Sequence, residues 1–193
     1  MADVYLVRHG PTHAKSMVGW SDLPADLSDT RLITRVAEAL PKDASVISSD
    51  LTRARDTADA VAGAQPRLPH DPDLREIHFG DWELKTWAEI DAETPDLSRA
   101  FWESPGDVRP PGGESWNEVS TRVTRAIDRA LAQTSGALIV VAHFGAILTQ
   151  IQRAERLTAD EAFAHRIEPL SLTHLSLTPG TDGGQTHLIN HIP

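Results

Sequence analysis

Short apolar runs alternate along this chain with stretches in which apolar residues recur at helical spacing. Five of the runs are rich in β-forming residues and have the length of strands: residues 4–7, 44–48, 137–141, 172–177 and 186–190. The run at 137–141 is apolar at every position, which is typical of a central strand covered on both faces. We therefore predict a sheet of five strands.

Helices are predicted between these strands. One has Ile33, Val36 and Leu40 on a single face and ends before Pro41. A second spans residues 50–61. Two more begin at Ser115 and Thr158, because each of these residues is followed three positions later by glutamate, the spacing of a capping box. The apolar positions 119, 123, 127 and 131 continue the helix that starts at Ser115.

The alternation predicts an α/β fold, a three-layer α/β/α sandwich with a mostly parallel central sheet. Neither a repeat nor a shift in composition divides the 193 residues, so we expect a single domain over residues 1–193. Residues 66–113 hold most of the prolines and much of the aromatic content. We expect this stretch to be an irregular excursion over the edge of the sheet that carries the site.

Composition and charge narrow the classes of function. Hydrophobic residues make up 40% of the chain and charged residues 24%, as in ordinary globular proteins. No apolar run approaches the roughly 18 residues of a membrane span, and no signal peptide is visible, so we expect a cytoplasmic protein that does not bind membranes. A net charge of -10 argues against nucleic-acid binding, and the lack of cysteine excludes thiolate chemistry.

Two predicted strands end in histidine. The first runs into Arg8-His9-Gly10, and the strand at 137–141 runs into Ala142-His143-Phe144-Gly145, a turn glycine and a new helix. Ligands of α/β sheets gather at the carboxyl ends of the strands. Imidazole can act as a nucleophile, and a guanidinium group is well suited to bind phosphate oxygens through two parallel hydrogen bonds. The pattern predicts a histidine that reacts with a phosphorylated group.

Two further segments would complete such a site. Arg53 lies at the start of the helix that follows Ser48 and Ser49, where a helix N-terminus favours anions. Glu76 lies in a segment dense in carboxylates and aromatic residues. A carboxyl group shielded by apolar neighbours can act as a general acid. The alternatives are that Arg53 lies on a solvated helix face and that Glu76 is a solvated loop carboxylate.

Six motifs follow one another in a specific order over nearly the whole chain. They are Arg8-His9-Gly10-Pro11-Thr12, Gly19-Trp20-Ser21-Asp22, Ser49-Asp50-Leu51-Thr52-Arg53-Ala54 with Thr57-Ala58, Glu76 with Phe79-Gly80-Asp81-Trp82-Glu83, Pro111-Gly112-Gly113-Glu114-Ser115, and Val141-Ala142-His143. With these motifs the chain resembles the histidine phosphatase superfamily, also called phosphoglycerate mutase-like. Its segment 79–83 looks more like the small phosphatases of that family, including α-ribazole phosphatases.

The resemblance implies a role for each candidate residue. His9 would be the nucleophile that becomes phosphohistidine, and Glu76 would protonate the leaving oxygen and then activate water. The phosphoryl oxygens would be held by Arg8, Arg53 and His143. We expect the phosphate or substrate contacts to come from Gly10, Thr12, Lys15, Trp20 and Phe144. No metal or cofactor is expected, because the guanidinium and imidazole groups stabilise the transferred phosphoryl group themselves.

Three positions depart from the family pattern. Lys15 stands where the family often has asparagine, and Arg31 and Leu84 stand where it commonly has glycine. Lys15 and Arg31 either add positive charge around the pocket or are surface charges. Substrate specificity is expected in Trp20, Trp82, Trp102, Arg109 and the loop at Pro111-Gly112-Gly113.

We therefore expect a histidine acid phosphatase-type phosphomonoesterase, metal-independent and acting on a small phosphorylated metabolite, in a chain that can form a homodimer. Phosphoglycerate mutase-type phosphoryl transfer and a non-catalytic phosphate-binding protein on the same fold are the alternatives. A histidine metal site is a further possibility, given nine histidines. No His-x-x-x-His or comparable helical spacing supports it.

Overall fold

The computed structural model describes all 193 residues and contains five strands and seven α-helices. The strands are β1 (Ala2–Arg8), β2 (Ser45–Ser48), β3 (Leu138–Ala142), β4 (Leu172–Leu177) and β5 (Gly184–His191). The helices are α1 (Thr30–Ala39), α2 (Thr52–Val61), α3 (Trp87–Glu93), α4 (Pro95–Glu103), α5 (Trp116–Leu131), α6 (Phe144–Glu155) and α7 (Ala159–Phe163). Two short 3₁₀ helices lie at Pro72–Leu74 and Gly80–Trp82.

The five strands form one sheet in the order β2-β3-β1-β4-β5. β1 and β2 both pair with β3 in parallel, while β4 runs antiparallel to β1 and to β5. Four strands therefore point the same way and only β4 opposes them, so the predicted mostly parallel sheet is confirmed. The parallel register pairs Arg8 with Ala142, which brings the carboxyl ends of β1 and β3 level.

Side chains alternate between the two faces of the sheet, and each face has its own core. Val4 and Leu6 pack into a core with residues of α5 and α6. Val7 joins a second core built with residues of α1 and α2. All five residues of β3 are buried, because this strand is covered on both faces. The predicted three-layer α/β/α sandwich is confirmed.

Local signals set the ends of the helices. The Ser115 and Thr158 capping boxes are both present, with each glutamate accepting from the backbone N–H of the capping residue. Each such cap stabilises its helix by about 1 kcal/mol. α1 ends at Ala39, since Pro41 disfavours helical backbone at the residue before it. None of the seven helices has the length and apolar character that crossing a membrane demands.

The expectation of an irregular excursion over residues 66–113 was wrong for its second half, which folds into α3 and α4. Thr86 and Glu89 form a capping box at the start of α3, and Pro95 occupies the first turn of α4, where a proline is tolerated. Phe101 of α4 is buried with its ring edge against Trp82, at a centroid distance of 5.5 Å. Pro95 therefore starts a helix rather than preventing one, and Pro72 likewise begins the first 3₁₀ helix.

Candidate active site

The two strand-end histidines lie side by side at one edge of the sheet. His9 follows β1 and His143 follows β3, and the backbone N–H of His9 donates to the carbonyl of Ala142 at 3.0 Å. Their ring centroids are 5.0 Å apart. Both side chains are buried, His143 completely. Parallel pairing of two adjacent strands therefore brings together residues that lie far apart in the sequence.

His9 is held neutral with one ring nitrogen unprotonated. Its Nδ1 lies 2.6 Å from the carbonyl oxygen of Gly10. Because a carbonyl only accepts, Nδ1 carries the proton and Nε2 keeps its lone pair. Burial, followed by the charge of Arg53, lowers the pKa of His9 to about 3. The imidazole is therefore a neutral nucleophile at any pH near neutrality.

Arg53 approaches His9 from α2. Its Nε donates to His9 Nε2 at 3.3 Å. Its two terminal nitrogens donate to the carbonyls of Ser21 and Gly19, at 2.8 and 2.6 Å. These bonds fix the plane of the guanidinium, and its Nε–H is the group that an incoming phosphoryl oxygen would take over from His9.

Arg8 and His143 carry buried polar atoms that no protein group satisfies. Arg8 Nη1 donates to the carbonyl of Ile167 at 2.5 Å, but its Nε has no partner. Both ring nitrogens of His143 are also unpaired. Burial, followed by the neighbouring His9, lowers the pKa of His143 well below its usual range. Buried polar groups are normally hydrogen-bonded, so these atoms indicate a site for a polar ligand.

Glu76 reaches the same site from the segment before the second 3₁₀ helix. Its Oε1 accepts from the backbone N–H groups of Ile77 and Gly145, both at 3.0 Å. Arg122 donates to the Glu76 carbonyl at 2.7 Å and pairs with Glu114, which fixes the backbone that carries the carboxylate. The carboxyl group is therefore held at the N-terminus of α6.

A pocket of about 230 Å³ lies at this site, and fully buried His143 is not part of its lining. The polar lining residues are Arg8, His9, Arg53 and Glu76, with Thr12 and Ser16. The apolar lining residues are Ala14, Met17, Val18, Phe79, Trp102 and Phe144. The guanidinium of Arg8 lies 5.5 Å from the centroid of the Phe144 ring. The pocket suits an anionic group joined to a less polar one.

A family model of the histidine phosphatase superfamily (branch 1) matches residues 4–190. The chain belongs to this superfamily. It is 34% identical over 163 residues to phosphoglycerate mutase-like protein 4 of Arabidopsis thaliana, covering 79% of this chain and 71% of that one. It is 32% identical over 161 residues to a metal-independent phosphoserine phosphatase of the same plant, covering 78% and 67%. The relatives thus bear the names of phosphatases and mutases.

Two solved structures share the fold over nearly the whole chain. Bacillus stearothermophilus YhfR superposes with a TM-score of 0.88 at 26% identity, covering 100% of this chain and 98% of that chain. The α-ribazole phosphatase from Shigella flexneri has a TM-score of 0.80 at 22% identity, covering 98% and 96%, and shares the fold. The resemblance to the family and to its α-ribazole phosphatases is confirmed at the level of fold.

The structure separates the residues expected to contact phosphate or substrate into two groups. Thr12 and Phe144 line the pocket, whereas Lys15 is exposed and lies outside its lining. Gly10 also lies outside the lining, and its N–H donates to Thr57 Oγ1 at 2.9 Å. A Cβ on Gly10 would lie 2.7 Å from Leu27, so close packing explains this glycine.

Trp20 packs against the segment that carries Glu76 and does not line the pocket. Its Nε1 donates to the Glu76 carbonyl at 2.9 Å, and the Arg75 guanidinium lies over its ring at 4.7 Å. Trp20 is therefore not part of the pocket lining, and its indole supports the backbone of Glu76. Sequence alone does not distinguish a tryptophan that faces a pocket from one packed behind it.

The residues expected to set specificity separate in the same way. Trp102 lines the pocket. Trp82 is 1% exposed in the core, and Arg109 pairs with Glu118 at the surface. The loop of Pro111, Gly112 and Gly113 packs on the segment 76–83, where the Asp81 N–H donates to the Pro111 carbonyl at 2.8 Å. Of this set, only Trp102 contributes to the pocket wall.

The three departures from the family pattern leave the pocket unchanged. Lys15 and Arg31 are exposed and outside its lining. Leu84 adopts a φ of 62°, a left-handed conformation that glycine adopts without strain. The expected turn at Gly145 was wrong, because this residue lies in the first turn of α6. A Cβ there would lie 2.5 Å from Glu76 Oε1, so the glycine makes room for the carboxylate.

Sequence reasoning missed one residue that organises the site from outside the pocket. The carboxylate of Glu83 accepts from the backbone N–H groups of Gly19, Trp20, Ser21 and Phe79 and from the Ser21 hydroxyl. The turn that anchors Arg53 is therefore built around one half-buried carboxylate. Its place in the motif Phe79–Glu83 was the available signal.

Proposed function

We propose that this chain is a metal-independent phosphomonoesterase that works through a phosphohistidine at His9. The observation that carries the proposal is the convergence, in one buried pocket, of a neutral histidine with the guanidinium groups of Arg8 and Arg53. Two fixed cations stabilise a phosphoryl group, and a neutral Nε2 can attack it. The name of the metal-independent phosphoserine phosphatase among the relatives supports the same chemistry.

In the first step, the phosphoryl group of the substrate binds against Arg8, Arg53 and His143. The Nε–H of Arg53 moves from His9 Nε2 to a phosphoryl oxygen, which frees the lone pair. Nε2 then forms a bond to phosphorus while the bond to the leaving oxygen breaks. The carboxylic acid of Glu76 gives its proton to that oxygen, and an alcohol leaves.

In the second step, water replaces the alcohol in the pocket. The Glu76 carboxylate takes a proton from this water as its oxygen forms a bond to phosphorus. The nitrogen–phosphorus bond breaks, so that inorganic phosphate is released and His9 is neutral again. The hydrogen bond from Nδ1 to the Gly10 carbonyl stabilises the positive charge that the ring carries as phosphohistidine.

We propose a small phosphorylated metabolite as the substrate, and neither nucleic acid nor a membrane as a partner. Its volume of about 230 Å³ admits a small molecule. Its lining contains no arginine or lysine besides Arg8 and Arg53, which are both directed at the phosphoryl group. A carboxylate on the leaving group would find no further cation in the lining to pair with. We therefore expect phosphate esters of neutral or apolar alcohols to be the preferred substrates.

The decisive test compares wild-type protein with His9→Ala on p-nitrophenyl phosphate in the presence of a strong chelator. Wild type is expected to hydrolyse the ester and, after rapid quenching, to carry an acid-labile phosphoryl group. The variant is expected to lose both. His13→Ala is the matched control, since His13 is exposed and lies outside the pocket. Full activity in His9→Ala would rule out the mechanism.

Two other functions remain as alternatives on this fold. Phosphoglycerate mutase-type transfer is favoured by the name of one relative, phosphoglycerate mutase-like protein 4. It predicts that 3-phosphoglycerate is isomerised faster than it is hydrolysed, which nuclear magnetic resonance of the products distinguishes. A non-catalytic phosphate-binding protein predicts calorimetric binding of phosphate without turnover of any ester in a broad metabolite panel.

A further inference from the structure

Three side chains of metal-ligating type meet on three neighbouring strands at a distance from the pocket. They are Asp3 of β1, His174 of β4 and His187 of β5, and their ligating atoms all lie within 4.8 Å of one another. Asp3 lies near the start of β1, whereas His9 follows its end. Six residues of extended chain separate the two by roughly 20 Å.

The pairing of the strands builds this cluster. β4 runs antiparallel to β1, with Ser176 opposite Asp3 and His174 opposite Tyr5, so these side chains share one face of the sheet. The ladder between β4 and β5 shifts register next to His174. The imidazole of His187 then lies against that of His174, with ring centroids 4.4 Å apart.

The polar atoms of the cluster converge on the carboxylate of Asp3. His174 Nε2 lies 3.2 Å from Asp3 Oδ1, and the Ser176 hydroxyl donates to the same oxygen at 2.7 Å. His187 Nε2 lies 2.8 Å from that hydroxyl. Hydrogen bonds from Ser176 and His174 lower the pKa of Asp3, which keeps its carboxylate ionised. The Tyr5 ring stacks on His174 at 4.1 Å and fixes its orientation.

We propose that Asp3, His174 and His187 form a binding site for one divalent transition-metal ion such as Zn²⁺. Two imidazole nitrogens and a carboxylate oxygen are the donor set that Zn²⁺ accepts, whereas Mg²⁺ and Ca²⁺ prefer oxygen ligands alone. In tetrahedral zinc sites the ligand atoms lie about 3.3 Å apart, so the pair Asp3–His174 already fits. Rotation of the exposed His187 side chain closes the site.

Besides this rotation, binding requires a shift of protons within the imidazoles. Each neutral ring presents its Nε2 lone pair to the ion and carries its single proton on Nδ1. The Ser176 hydroxyl remains hydrogen-bonded to the Asp3 carboxylate and orients it. Because the three ligands come from β1, β4 and β5, the ion joins the edge strand to the centre of the sheet.

The site is tested on the full chain after removal of metals with a chelator. Titration with ZnCl₂ in a calorimeter is expected to give one ion per chain with a Kd below about 100 μM. Asp3→Asn, His174→Gln and His187→Gln are each expected to weaken binding at least about tenfold. His191→Gln is the matched control, because His191 is an exposed histidine of the same strand β5 outside the cluster.

Thermal unfolding gives a second readout. Zn²⁺ is expected to raise the Tm of wild type and of His191→Gln but not that of the three ligand variants. Unchanged zinc affinity in all three variants, equal binding of Mg²⁺, or no binding below about 100 μM would overturn the proposal and leave an exposed hydrogen-bond network only.

Hydrolysis of p-nitrophenyl phosphate is measured on the same samples. Metal-free wild type and the three variants are expected to be equally active, since the cluster does not touch the pocket. The His9→Ala variant is expected to keep its zinc affinity while losing hydrolysis. Failure of the metal site and failure of the phosphatase mechanism are therefore distinguishable.

Discussion

In the proposed reaction, the residues of the site have different roles. Arg8, Arg53 and His143 would stabilise the charge of the phosphoryl group, His9 would form the bond to phosphorus, and Glu76 would transfer the proton. The roles depend on neutral imidazoles beside two cations, an arrangement that burial maintains. Two predictions at this scale separate the proton-transfer role from the nucleophilic one.

Glu76→Gln is expected to slow the hydrolysis of alkyl phosphates more than that of aryl phosphates. The amide keeps the shape of the side chain but cannot donate a proton to a poor leaving group, and such a loss costs about 10²–10⁴-fold. Values of kcat for p-nitrophenyl phosphate and for a simple alkyl phosphate measure the difference. Glu93→Gln, at an exposed glutamate of α3, is the control. An equal loss on both esters would contradict the acid role.

His9 is also expected to make stability depend on pH. Its pKa of about 3 in the folded protein lies below its unfolded value of about 6.5. Between these pH values the unfolded chain binds a proton that the folded protein does not, so the free energy of unfolding falls as pH falls. The limit is about 1.4 kcal/mol per pH unit for one such group.

Urea denaturation at pH 7 and pH 5 measures this effect. Wild type is expected to be less stable at pH 5, and His9→Asn is expected to show a smaller difference because asparagine does not titrate. His143 contributes in the same direction, since burial also lowers its pKa. Identical pH dependence of wild type and variant would show that folding does not shift the pKa of His9, which would contradict a buried neutral imidazole.

At the scale of elements, the site depends on a turn that never touches the substrate. Glu83 organises the backbone of Gly19 and Ser21, and their carbonyls hold the guanidinium of Arg53. Glu83→Gln replaces an acceptor oxygen with a donor that faces other donors. A displaced guanidinium is expected to lower kcat/KM roughly 10–100-fold.

A double-mutant cycle distinguishes this positioning role from a general loss of stability. In an Arg53→Ala background, Glu83→Gln is expected to have little further effect, because the group it positions is gone. Inhibition by inorganic phosphate should weaken in parallel with kcat/KM. Strictly additive losses in the double variant would mean that Glu83 acts by another route.

The sequence predicted regular elements where the signal was local. Apolar runs located all five strands, and Ser115 and Thr158 marked two helix starts. It did not reveal α3, although Thr86 and Glu89 carried the same capping signal. Proline content suggested an irregular path, and the burial of Phe101 against Trp82 outweighed that suggestion.

The residues of the candidate site also differ in whether a local sequence signal could place them. Residues directly attached to strand ends, such as His9 and His143, could be placed together because parallel strands share an edge. Trp20 and Trp82 could not be placed, since only tertiary packing decides which way a loop side chain faces. The pair His174–His187 was invisible to a search for helical spacing, because a shifted strand register brings it together.

At the scale of the whole molecule, the chain has a net charge of -10, yet its pocket is lined by two arginine side chains. Burial of Arg8 and Arg53 without an anion costs folding energy, so the occupied pocket is the more stable state. Inorganic phosphate at about 100 times its Kd is expected to stabilise the fold by about 2.7 kcal/mol. For a chain of this size the Tm rises by roughly 5–10 °C.

Differential scanning calorimetry with phosphate, against sodium chloride at equal ionic strength, checks this expectation. Arg53→Met is expected to abolish the phosphate-dependent shift. A wild-type Tm that does not respond to phosphate would contradict a built anion site.

Hydrogen bonds connect the last residue of β1 to the segment 167–171. Arg8 donates through its side chain to the carbonyl of Ile167, and its backbone bonds to Leu170 and Ser171. The guanidinium proposed to bind phosphate therefore lacks these contacts until residues 167–171 have been translated. A nascent chain that ended before this segment would carry every proposed catalytic residue without the contacts that fix Arg8, so we expect activity only after the segment has been added.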